Sequence, residues 1–206
     1  MFRSTLFFII AAACVLAAST AARASLNPYT EEFTADSANW RDSTGLSPLA
    51  WSATGGPDSS SYASTSFNFL TSAPNATPPI MRAQDEFNSS GNAFVGNWIT
   101  DGVNQLSVDV RHNAPTPLTF FTRMASPVNF PGVAAVNFVP VIPNTWTTLI
   151  FPIVPGNPQF VFEGPPATFS SVFSSVGHLQ VGVMVPAALA GFDQSFTFDV
   201  DKASIT

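Results

Sequence analysis

The 206-residue chain carries a formal net charge of −6, with 46% hydrophobic and only 10% charged residues. A surface of that sign repels phosphate backbones and disfavours nucleic acid as a partner. Twenty Phe and 18 Pro are a poor composition for helices and a good one for short strands closed by hard turns.

Residues 1–24 read as an export signal. Arg3 is a minimal positive start, Leu6 to Ala18 is an apolar and small-residue run, and Ala22-Arg23-Ala24 is a small-x-small cleavage pattern. The mature chain is therefore expected to begin at Ser25 and to form one domain, residues 25–206. The apolar run is shorter than the roughly 17–25 residues of a membrane span. No membrane insertion is expected after cleavage, and the product is expected outside the cytoplasm, secreted or periplasmic. A lipid attached at Cys14 is the competing reading, but Ala11-Ala12-Ala13 lacks the usual Leu upstream. Cleavage removes Cys14, the one Cys, so the mature chain has no possible disulfide. It also removes Arg3 and Arg23, leaving 5 basic against 13 acidic residues, a net charge of 5 − 13 = −8.

The first expected strand is Tyr29 to Thr34, with Tyr29, Glu31 and Phe33 on one face and Glu32 and Thr34 on the other. Leu49 to Ala53 reads as a short strand, Thr54-Gly55-Gly56-Pro57-Asp58 as a break, and Tyr62 to Phe69 as a strand. Ile80 to Phe87 is ambiguous, and Asn92 to Ile99 reads as a strand with its approach. Gln105 to His112 alternates cleanly, with Leu106, Val108 and Val110 inward. Leu118 to Met124 follows Pro115-Thr116-Pro117, and the two strands read as a hairpin. Val133 to Val141 is expected to turn at Pro143-Asn144 and run back as Trp146 to Phe151. A Pro-rich stretch, 152–166, precedes one helical turn at Phe169 to Phe173, a strand at Gly177 to Val185 and a final strand from Phe196. Eight to eleven short strands without a substantial helix predict an all-β, two-sheet antiparallel β-sandwich. In the final strand Phe196, Phe198 and Val200 share one parity and Ala203 and Ile205 the other. A β-bulge near Asp201-Lys202 would turn both sets to the core.

Three features carry a family resemblance: Glu32-Phe33 followed by Trp40, the strand opening Trp146-Thr147-Thr148-Leu149, and the closing pattern from Phe198 to Ile205. Together they resemble the galactose-binding-like jelly-roll modules, which include many carbohydrate-binding modules and the laminin-IV-type domains. The run Phe94-Val95-Gly96-Asn97-Trp98, with Gly102 and Leu106 to Val110, is similar to the laminin-IV type as found in exported bacterial proteins. The resemblance implies that first and last strands lie together and that an acidic residue from each holds a structural calcium ion. In this chain that points to Glu32 and Asp201. Calcium takes six to eight oxygens, and carboxylates beside turn carbonyls supply them.

Signals for catalysis are thin. His112 and His178 are the only imidazoles and stand in no zinc-binding spacing, and no Gly-x-Ser-x-Gly elbow is present. No catalytic residue is assigned, and the chain is not expected to be an enzyme. The aromatic residues are better candidates, because sugar rings lay their C–H faces on Trp and Tyr. Trp40, Trp51, Tyr62 and Trp98, in polar, turn-rich segments, are the expected ligand platform, while Trp146 suits a core position. The leading reading is a secreted, non-catalytic module that binds a carbohydrate or extracellular polymer. A structural or surface-matrix protein with no small ligand is the alternative, and a polysaccharide-active enzyme comes third.

Overall fold

The structure, a computed structural model, describes residues 25–206, so the expected leader and Cys14 lie outside the described residues. Period-two alternation builds eleven strands: β1 (Tyr29–Glu31), β2 (Ala50–Ser52), β3 (Tyr62–Asn68), β4 (Pro79–Gln84), β5 (Gln105–His112), β6 (Thr119–Ala125), β7 (Gly132–Val136), β8 (Thr147–Pro152), β9 (Phe160–Glu163), β10 (His178–Met184) and β11 (Ser195–Ile205). One short helix, α1 (Phe169–Phe173), stands where a helical turn is expected, and its Thr168 hydroxyl accepts from the Ser171 amide. No helix among the described residues is long and apolar enough to cross a membrane.

The strands form two antiparallel sheets. Sheet A runs β2-β3-β11-β5-β8, with β1 also paired to β11, and sheet B runs β4-β10-β6-β7-β9. This is the expected jelly-roll sandwich. The inner faces supply the core: Leu106, Val108, Val110, Phe198 and Val200 from sheet A meet Phe120, Met124, Val133 and Val181 from sheet B, all buried. Phe198 touches Phe120 across the two layers, with ring centroids 6.3 Å apart.

The two ends of the domain pair as expected, Tyr29 opposite Ile205 and Glu31 opposite Ala203. The bulge is also where the parity change puts it. Asp201 faces Asp109, but the next pair is Ser204 with Ser107, and Lys202 takes a φ of 47°. One extra residue thus returns Ala203 and Ile205 to the core side, both fully buried.

Two expected hairpins do not form. β5 lies in sheet A and β6 in sheet B, so the Pro115-Thr116-Pro117 segment arches between layers instead of closing a turn. β7 and β8 are split in the same way. Alternation says which side of a strand faces inward, but either layer satisfies it. Asn92 to Ile99 forms no strand. A 3₁₀ segment at Ser89–Asn92 leads into turns, with a single bridge from Gly96 to Val176. The ambiguous 80–87 segment is β4 followed by a 3₁₀ turn at Asp85–Phe87, and β9 arises inside the Pro-rich stretch.

Candidate functional site

Sheet B has an outward face as well as a core face, and its alternate residues line a groove of about 500 Å³. That volume falls within the range of small-ligand sites. Arg82 of β4, Gln180 and Met184 of β10, Phe121 and Arg123 of β6, Ala134 and Val136 of β7 and Glu163 of β9 all contribute, with Asn129 and Phe130 at one end.

Arg123 organises this surface. Its Nε donates to Glu163 Oε2 at 2.6 Å, Nη1 donates to Asn129 Oδ1 at 2.8 Å and Nη2 donates to the Asn129 carbonyl at 2.8 Å. Nη1 also reaches Gln180 Oε1 at 3.5 Å, and Phe130 lies over the guanidinium, 5.3 Å from ring centroid to Cζ. The side chain is held flat across three strands and a loop. Two glycines make room for this floor. A Cβ on Gly132 would stand 2.9 Å from Arg123 Nη2, and one on Gly182 would overlap Phe121 Cζ. Gly182 is paired with Phe121 in register, so the missing side chain lets the Phe121 ring lie over β10. Arg82 is anchored by Nε and Nη2 donating to the Ser43 carbonyl at 3.0 and 2.7 Å, and it makes no ion pair among the described residues. The groove thus holds two guanidiniums and one carboxylate in a mostly apolar frame, on an acidic protein.

The aromatic platform expected from sequence is not assembled. Trp40 and Trp98 are fully buried. Trp40 packs edge-on against Phe33 and Phe94 while Nε1 donates to Ser90 Oγ, and Trp98 stacks on Phe173 while Nε1 donates to the Phe94 carbonyl. Each indole N–H finds its partner inside the protein, the usual condition for a Trp in a core. Trp51 is 40% exposed on the edge strand β2, its Nε1 donating to the Phe33 carbonyl at 2.6 Å. Tyr62 packs edge-on against Trp146 on the outer face of sheet A, where the Arg111 guanidinium lies over both rings. Trp146, expected in the core, is partly exposed there and donates to the Gly55 carbonyl. None of the four expected residues lines the groove of sheet B. The groove residues are spread over β4, β6, β7, β9 and β10, so no contiguous stretch of sequence marks them. The available signal was Arg123, the one charged residue of β6 and on its outward parity.

Of the two acids expected at an ion site, Asp201 is fully buried and Glu32 is exposed. The neighbouring Glu31 is the inward one, accepting from the Tyr29 hydroxyl and the Phe33 amide at 2.9 Å each. Burial, reinforced by that carboxylate, pushes the Tyr29 phenol up to about 12. Asp201 Oδ2 and the Pro57 carbonyl each lie 2.6 Å from Ser60 Oγ. The Ser61 hydroxyl donates to the Glu32 carbonyl at 3.0 Å. These are hard oxygen donors of the kind calcium takes. The exposed Glu32 side chain itself makes no hydrogen bond among the described residues.

No protein-family model matches the chain, and no curated protein matches it. Among solved structures it is similar to part of an exo-β-agarase, with a TM-score of 0.54 and 10% identity over 85% of this chain and 25% of that one. The likeness is one of fold, a two-sheet antiparallel jelly roll. The chain is also similar to the CBM22-1–GH10 modules of a Clostridium thermocellum endo-1,4-β-D-xylanase 10B, with a TM-score of 0.49 and 15% identity over 86% of this chain and 28% of that one. A third similar structure is the family 11 carbohydrate-binding module of a cellulosomal cellulase from the same organism, with a TM-score of 0.49, 12% identity, and 88% and 95% of the two chains covered. The jelly roll spans about a quarter of the agarase and xylanase chains.

Proposed function

We propose that the protein is an exported, non-catalytic module that binds a carbohydrate in the groove of sheet B. The observation that carries this reading is the Arg123 guanidinium, fixed by Glu163, Asn129 and Phe130 in the middle of an open, mostly apolar channel. A sugar ring offers hydroxyls on its rim and C–H groups on its faces. Arg82, Gln180 and Asn129 can bond the first, and Phe121 and Phe130 can cover the second. A preformed polar set lowers the cost of ordering on binding. Glu163 is the one carboxylate of the groove lining, and its Oε2 is already held by Arg123. Glycoside hydrolysis ordinarily uses a pair of carboxyl groups, so the lining supports binding rather than cleavage. The similar part of an exo-β-agarase agrees with this reading at the level of fold.

A glycan array with the exported protein tests it. Retention of one polysaccharide class, lost in Phe130→Ala and Arg82→Ala, is expected. A blank array with a correctly folded protein would overturn the proposal and leave the structural, surface-matrix role. Export itself is part of the proposal and predicts a mature product that begins at Ser25 by N-terminal sequencing. A structural calcium ion is also proposed, held by Asp201 with the Pro57 carbonyl and Ser60 Oγ, where its positive charge would offset the facing carboxylates of Asp201 and Asp109.

A further inference from the structure

We infer that Asp85, Glu86 and His178 form a binding site for a divalent transition-metal ion of the zinc type. The site lies at one end of sheet B and does not depend on the sugar reading. His178 opens β10 on the same face as Gln180, opposite Gln84, the last residue of β4. The 3₁₀ turn Asp85–Phe87 follows at once, and the Asp85 amide donates to the Gly177 carbonyl at 3.0 Å. The backbone therefore fixes both acids beside the imidazole.

One ligand atom from each residue lies within 4.8 Å of the other two. His178 Nε2 stands 3.1 Å from Glu86 Oε2 and 3.4 Å from Asp85 Oδ1. An ion holding nitrogen and oxygen ligands tetrahedrally at about 2.0–2.1 Å sets neighbouring ligand atoms roughly 3.3–3.4 Å apart. The two measured spacings bracket that edge. A second observation is independent of the spacing. The His178 side chain is only 6% exposed, yet neither of its ring nitrogens has a hydrogen-bond partner among the described residues. Contacts at these distances without hydrogen-bond direction are what an imidazole and two carboxylates show when they converge on a point between them. The side chains of Asp85 and Glu86 are 28% and 47% exposed, so an ion has a path from solvent and a fourth position open to water. One imidazole with two carboxylates suits zinc and its first-row neighbours better than calcium, which prefers oxygen alone.

The test uses the untagged full chain and Zn²⁺ as its chloride. The sequence has two His, so imidazole NMR reports on both rings at once. His112 serves as the internal control, because it is buried with Nε2 bonded to the Val141 carbonyl. Saturable binding by calorimetry, with the His178 ring resonances moved and those of His112 unmoved, is expected. Glu86→Gln, at a half-exposed position that leaves the core intact, should weaken Zn²⁺ at least about tenfold, the low end of what even outer-shell changes cost. Zn²⁺ that moves neither ring would overturn the site, and so would equal affinity in Glu86→Gln and the parent. In either case the three groups are a structural cluster that holds no metal ion.

Discussion

Asp201 and Asp109 face each other on neighbouring strands β11 and β5, and both are buried on the outer side of sheet A. Like charges directly opposite are destabilising. Burial raises the Asp201 carboxyl above its ordinary value, and the Asp109 charge adds to this. The Thr148 hydroxyl donates to Asp109, and the Lys202 amide donates to Asp201. At Ser60 a single hydroxyl proton serves two acceptors. Lys202 Nζ is already paired with Asp58 Oδ2 at 3.0 Å, so one ammonium serves three carboxylates, Asp58, Asp109 and Asp201, and that excess of negative charge is the physical argument for a further cation.

The calcium proposal predicts that EDTA lowers the melting temperature of the parent and leaves Asp201→Asn unchanged. Thermal unfolding with and without chelator checks this. In a site without an ion, the neutral amide introduced by Asp201→Asn would satisfy Ser60 and relieve the repulsion from Asp109. A higher melting temperature in Asp201→Asn together with a flat EDTA response would therefore reject the ion.

Phe198 bridges the layers, in contact with Phe69 and Phe120 and stacked near His112. Phe198→Ala is expected to cost about 3–5 kcal/mol, the range for removing a buried ring. Urea unfolding measures the loss. A cost below about 1 kcal/mol, a value typical of surface positions, would mean the sheets do not meet there.

Gly182→Ala is expected to push Phe121 off β10 and reduce carbohydrate affinity, because its new methyl would overlap the ring and the Pro78 carbonyl. Trp51→Ala, on the edge of sheet A, is expected to leave affinity unchanged. Affinity electrophoresis in a retained polysaccharide compares them. The reverse ranking would move the site to the other sheet.

His112 gives the fold a pH dependence. Burial lowers its basicity below the ordinary 6.5, with the Val141 carbonyl bond opposing this in part. The folded chain thus takes up this proton less readily than the unfolded chain. Its contribution is intact above the unfolded value and is lost as pH falls from about 6.5 toward the folded value, by up to about 1.4 kcal/mol per pH unit. Melting temperatures from pH 7.5 to 5 should decline, and less steeply in His112→Gln. Equal slopes would assign the decline to other groups.

Much of the architecture was legible because period-two patterns are local. The bulge at Lys202 followed from the parity change between Val200 and Ala203, while the pairing of the chain ends was implied by the family resemblance. The assignment of β5 and β6 to different sheets was not legible, since Leu106 and Phe120 obey the same inward rule in either layer. Trp40 and Trp98 misled because a polar sequence neighbourhood does not reveal that Phe33, Phe94 and Phe173 enclose them. The groove needed Arg123, Gln180 and Glu163 side by side, three residues whose proximity only the completed sheet creates.

β11 lies between β3 and β5, although it follows both by a long stretch of chain. Until residues 195–205 emerge, β3 and β5 each present a bare edge with no neighbour to fill the slot. Sheet A can therefore zip shut only once residues 195–205 are available, which keeps the strands before them pliable until then. A chain truncated after Gln194 would be expected to aggregate through those two open edges.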